Sequence, residues 1–213
     1  AIAHICYYSF RGWAYWIYLT NWALILQTVS ECLLLALALH GSQVNQSRTP
    51  PTTVRFAVVL SSMAQPTSLI VTLLFFFLIN PIWKFRPIPY IAFFPHFLNW
   101  FLLLIGLLVS RIPFAFERHT GWPMLFAGIF IAWTVLHFYL KIVRNEPCFN
   151  YPLHDCPIYN QLDWHHPQGA GITVLIAMTG MVLVCALYSK LVRCRDCTQS
   201  SSQVEEVELE LAG

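Results

Sequence analysis

In the stretch YLTNWALILQTVSE (residues 18–31), Thr20, Gln27 and Glu31 are spaced by seven and four, which stacks them on one face of a helix. In PHFLNW (95–100), His96 and Asn99 stand three apart and share a face in the same way. These residue types make a recognisable set. A threonine hydroxyl is a weak nucleophile until a base within hydrogen-bond reach takes its proton, and an imidazole is such a base. A carboxamide such as that of Asn99 can orient the imidazole or donate to an oxyanion. The same groups also suit a purely structural role, an interhelical clamp of Thr20, His96 and Asn99 that joins helices and catalyses nothing.

The elements that position these residues follow from composition. The chain has 213 residues, of which 57% are hydrophobic and 10% charged, with a mean hydropathy of +0.59. Soluble domains carry about 25% charged residues, so this chain lacks the charge to cover a water-facing surface of its size. The expected class is an all-α polytopic transmembrane helix bundle. About 20 mainly apolar residues cross a bilayer core, and five stretches qualify: about 15–39, 56–79, 91–110, 123–140 and 171–191. They form one helical domain over 1–193, followed by a tail over 194–213 that is acidic at Glu205, Glu206, Glu208 and Glu210 and expected to be disordered. The chain begins at Ala1 rather than Met, so an upstream span is expected to be missing. A net charge of +2 excludes nucleic acid as an expected partner; membrane lipids and other membrane proteins are the expected ones.

Each span carries one face that lipid would not welcome. In the second, Ser61, Gln65, Ser68 and Thr72 form a stripe, with Pro66 predicting a kink. The third has His96, Asn99, Gly106 and Ser110, the fourth Thr134 and His137, and the fifth the small residues Thr173, Ala177 and Gly180. An ionised side chain at mid-span costs on the order of 2.5–3.5 kcal/mol. Glu31 is therefore expected to face the bundle, paired or protonated. Trp13, Trp16, Trp83, Trp122 and Trp164 sit where interfacial aromatic belts belong, whereas Trp100 and Trp133 lie mid-span and are expected to pack inside.

Lys and Arg in the flanks set orientation. Seven of them (Arg48, Arg55, Arg111, Arg118, Lys190, Arg193, Arg195) fall on one side and five (Arg11, Lys84, Arg86, Lys141, Arg144) on the other, so the tail is expected in the cytoplasm. The loop over 141–168 then lies outside, where Cys148 and Cys156 would form a disulfide. The sequon Asn45-Gln46-Ser47 works against this, because a glycan there would invert the topology. Cys194 and Cys197, next to basic residues just past the last span, suggest S-palmitoylation. His154, Asp155, Cys156, His165 and His166 offer metal-ligand types without the spacing of a zinc site, so neither metal nor cofactor is expected. Asp163 is expected to cap a turn or the start of the last span, with Trp164 at the headgroups. Transport is not favoured, for want of paired intramembrane charges or repeats.

Three segments, YLTNWALILQTVS (18–30), PHFLNWFLLLIGLLVSRIPF (95–114) and IYNQLDWHHPQGAG (158–171), resemble the rolling stone family of multi-pass membrane proteins. That resemblance implies action at the plasma membrane in cell fusion or adhesion, as in myoblast fusion. A more distant similarity is to the androgen-induced membrane hydrolases, which cleave fatty-acid esters of hydroxy fatty acids with an intramembrane Thr and His. That similarity implies a nucleophilic role for Thr20. The family's His directly follows a Leu-Asn pair; here Leu98-Asn99 is followed by Trp100, and His96 lies one turn earlier.

Overall fold

The structure is a computed structural model that describes residues 18–40, 52–79, 94–109, 112–141 and 156–212. Among these residues the regular elements are helical, which bears out the all-α bundle. They are α1 (Leu19–His40), α2 (Thr52–Leu74) running into a π turn (Phe75–Ile79), and a second π turn (Phe94–Leu98) leading into α3 (Asn99–Val109). Then come the short α4 (Phe116–His119), α5 (Gly121–Leu140), a 3₁₀ turn (Asn160–Leu162) and α6 (Pro167–Ala212).

Four of the five expected spans are long and apolar enough to cross a membrane: Leu19–Leu39, Thr52–Phe77, Phe116–Leu140 and Pro167–Cys197. For the third, His96–Val109 forms a continuous apolar helix among the described residues. Pro66 does not break α2, which runs through it with Pro66 itself buried; neighbouring helices supply the packing that lets membrane helices tolerate proline. The tail also departs from expectation, because α6 continues to Ala212 rather than ending near 191. After Gly180 the sequence holds no further glycine until Gly213 and no proline at all, so nothing stops the helix.

The bundle is organised around α2. It touches α1, α3, α5 and α6, and from Ala64 to Thr72 every residue is buried. The main core joins Leu69 and Ile70 of α2 to Leu107 of α3, Phe114, and Met181, Val184, Cys185, Tyr188 and Val192 of α6. Small residues make the approach close: a Cβ built on Gly180 would meet Ile70 Cδ1 at 3.0 Å. Across the other side, Trp22 of α1 packs against Phe126, Phe130 and Trp133 of α5.

Polar groups stitch these contacts together. Asn99 Nδ2 donates to Ser68 Oγ at 3.4 Å, Trp100 Nε1 donates to the Tyr188 hydroxyl at 3.1 Å, and that hydroxyl donates to the Gln65 carbonyl at 3.3 Å. Trp100 and Trp133 therefore do pack within the bundle. Arg195 is only 9% exposed. Its guanidinium donates to the carbonyl of Leu107 (2.8 Å), in the last turn of α3 where carbonyls lack helical partners, and to that of Ile112 (3.3 Å) beyond the helix. That bond brings the end of α3 and the far part of α6 to one end of the bundle. At the opposite end, the segment 156–166 folds against the start of α1, where the Leu19 N–H donates to the Tyr159 hydroxyl at 3.2 Å.

Candidate functional site

The residues with chemical potential converge near the Tyr159 end. A partly open cavity of about 90 Å³ lies between α1, α2, α5, α6, the π turn before α3 and the 156–166 segment. Its walls are mainly apolar, with Ile70, Val71, Phe126, Phe130, Val174 and Met181 among them. Apolar cavities of this order stay dry and admit apolar matter. The polar groups on its lining are few: Thr20, Thr67, His96, Tyr159, Gln161 and Thr173.

Thr20 and His96, read from sequence as a nucleophile and a base, thus line one cavity. Thr20 sits in the first turn of α1 and is buried. Its hydroxyl makes no hydrogen bond to another described residue. His96 is half-buried and lies in the π turn Phe94–Leu98, whose widened geometry is common at functional positions. Two contacts with α2 fix it. Its ring stacks on Phe75 with centroids 3.7 Å apart and planes 6° from parallel. The Thr72 hydroxyl is shared between the carbonyls of Ser68 and His96. The facing π turns Phe75–Ile79 and Phe94–Leu98 therefore aim the imidazole, a feature that no 3.6-residue periodicity encodes.

The other expected members divide. Asn99 is buried but lies outside the cavity lining, bonded to Ser68; it acts as part of the α2–α3 junction. Gln27 is half-buried, and its Oε1 is enclosed without a hydrogen-bond partner. Glu31 departs from expectation: it is exposed rather than turned into the bundle. It does share the face of Thr20, since eleven residues rotate a helix to within about 20° of the starting direction. Ser30 is the last fully buried residue of α1; beyond it Leu33, Leu34 and Leu37 are half-buried, whereas Glu31, Cys32, Leu35 and Leu39 are exposed.

The IYNQLDWHHPQGAG segment closes this end of the molecule. Asp163 Oδ1 accepts from the His165 backbone N–H at 3.0 Å and contacts its Nδ1 at 2.8 Å, which makes the expected turn cap. Trp164 is half-buried, and its Nε1 donates to Thr134 Oγ1 at 3.1 Å. Thr134 and His137, predicted to share a face, are both buried beneath it. Cys156 is buried and disulfide-bonded; Cys148, its expected partner, lies outside the described residues, as do His154, Asp155 and the Asn45 sequon. Cys32, Cys185, Cys194 and Cys197 carry reduced thiols, the last two exposed on α6. Among the described residues no cluster of three or more His, Cys, Asp or Glu could hold a metal ion.

Sequence reasoning missed Thr67, which is 1% exposed, lines the cavity and leaves its hydroxyl without a hydrogen-bond partner. A signal was present. In α2 the polar stripe Ser61, Gln65, Ser68 and Thr72 is joined by Ser62 and Thr67, which lie off it on different sides of the helix. In a membrane that pattern marks a central helix surrounded by protein.

The fold and site define an all-α polytopic bundle of membrane type with an internal apolar cavity bearing hydroxyl and imidazole groups. No family model matches the chain, and neither the curated proteins nor the solved structures give a match.

Proposed function

We propose that this protein is an intramembrane lipid-ester hydrolase in which Thr20 is the nucleophile and His96 the base. The observation that carries the reading is that Thr20 and His96, from separate elements, line the same apolar cavity. An apolar site suits an acyl chain, and excluding bulk water strengthens the polar contacts made at the reacting ester. The uncommitted hydroxyl of Thr20 and the clamped ring of His96 supply the two parts that nucleophilic catalysis needs. No cofactor is required. The substrate class is a fatty-acid ester of a hydroxy fatty acid, drawn from the membrane lipids around the bundle.

In this reading the Cys156 disulfide marks an oxidising compartment, so the cavity opens toward the outer leaflet of the plasma membrane and the C-terminus is cytoplasmic. Cys194 and Cys197, exposed on α6 beside Arg193 and Arg195, would there be acceptors for S-palmitoylation. Action in cell fusion or adhesion, alongside other membrane proteins, is the role implied by the rolling stone resemblance, and rests on those motifs alone.

The test is turnover of such esters by purified protein in lipid nanodiscs. Wild type is expected to release free fatty acid, and Thr20→Ala and His96→Ala to release none above background. Hydrolysis that persists in Thr20→Ala rules out the proposal.

A further inference from the structure

Most helical threonines of this bundle with a described bond satisfy their hydroxyls within their own helix. Thr28, Thr72, Thr134 and Thr173 donate to carbonyls of their own helices, at 2.8, 2.9, 2.8 and 3.1 Å respectively. That is the ordinary way to satisfy a hydroxyl inside an apolar helix. Thr20 and Thr67 do not do so, and both line the cavity; the buried Thr120 hydroxyl also lacks a partner but lies outside it. For Thr67 the departure is costly, because its hydroxyl is enclosed by protein and a buried donor left unmade loses its hydration for nothing. A ligand in the cavity would complete it.

We infer that Thr67 is the oxyanion donor of this site, supplying the hydrogen bond that holds the ester carbonyl oxygen as it becomes negative. The inference rests on the hydrolase reading above and gives that reaction an oxyanion donor. Thr20 Oγ attacks the carbonyl carbon and forms a C–O bond, while its proton passes to His96. The carbonyl π pair moves onto oxygen, where the Thr67 hydroxyl donates to it. The tetrahedral species collapses, the bond to the alcohol oxygen breaks, and the departing alkoxide takes the proton from the imidazolium. Water then cleaves the acyl-threonine by the same route, releasing the fatty acid and regenerating Thr20. The neutral donor suits an apolar wall, where a charged group would be costly to keep between turnovers. It lies on α2, apart in the chain from Thr20 on α1 and His96 before α3, so three elements contribute polar groups to the cavity lining.

The test compares Thr67→Val, which keeps the shape and removes the hydroxyl, with Thr67→Ser, which keeps the hydroxyl. The nanodisc assay uses a palmitoyl ester of hydroxystearic acid as substrate. Thr67→Val is expected to lower kcat by about 100- to 1,000-fold, the loss typical of one missing oxyanion donor. Its KM should stay within roughly threefold of wild type, because the bond forms in the transition state rather than on binding. Thr67→Ser should restore most of kcat. The melting temperature of Thr67→Val should equal or exceed that of wild type, since the change removes an unsatisfied buried polar group. Wild-type kcat in Thr67→Val, alongside loss of activity in Thr20→Ala, overturns the role of Thr67 and leaves the hydrolase reading standing. Absence of turnover in wild type overturns both.

Discussion

Replacing Gly180 by Ala tests whether the cavity beside Ile70 is real. The new Cβ would lie 3.0 Å from Ile70 Cδ1, whereas carbon atoms prefer about 3.5–4.0 Å. The methyl must therefore retreat by about 0.5–1 Å. Ile70 lines the cavity, so its terminal methyl has space to turn into. An off-rotamer χ angle costs about 0.5–1.5 kcal/mol, and exchanging a helical Gly for Ala returns about 0.8–1.0 kcal/mol. The two nearly cancel. Gly180→Ala should melt within about 2 °C of wild type, because 1 kcal/mol moves a chain of this size by about 2–4 °C. The displaced methyl narrows the space next to Ala177 and Met181, so ester turnover should fall while the fold survives. Adding Ile70→Val removes the clashing atom and should recover activity, at a stability cost of about 0.5–1.5 kcal/mol for the lost methylene. Thermal unfolding in detergent and the nanodisc assay read the two effects separately. A drop of more than about 5 °C in Gly180→Ala, with no recovery on adding Ile70→Val, would mean that Ile70 has nowhere to go and would refute the argument.

Two further expectations address the framework. Arg195→Met should destabilise the protein by about 3 kcal/mol, roughly 6–12 °C, by stranding the Leu107 and Ile112 carbonyls; an unchanged melting temperature would show that the buried guanidinium caps nothing. Without reductant, a maleimide should label exposed Cys194 and Cys197 but not Cys156, and Cys156 should react only after reduction and unfolding, as read by mass spectrometry of the peptides; labelling of Cys156 in the native oxidised protein would contradict its disulfide.

Sequence by itself determined the material and the faces. A chain with 10% charged residues has little but a helical bundle open to it in an apolar solvent, because every backbone polar group must be satisfied within its own segment. The 3.6-residue period, a local property, correctly grouped Ser61 with Gln65, Ser68 and Thr72, and Thr134 with His137. What periodicity cannot report is how far along a helix its neighbours extend, or on how many sides they stand. Glu31 shares a direction with Thr20 and is exposed, since full burial of α1 does not extend past Ser30. Thr67 points about 130° away from the polar stripe of α2 and is nonetheless buried, since α2 has neighbours all round. Only tertiary structure decided that the π turns would clamp His96, that Trp164 would donate to Thr134, and that Thr20, Thr67 and His96 would share one cavity. Those outcomes depend on contacts between segments far apart in the chain, whose energies no single stretch of sequence contains.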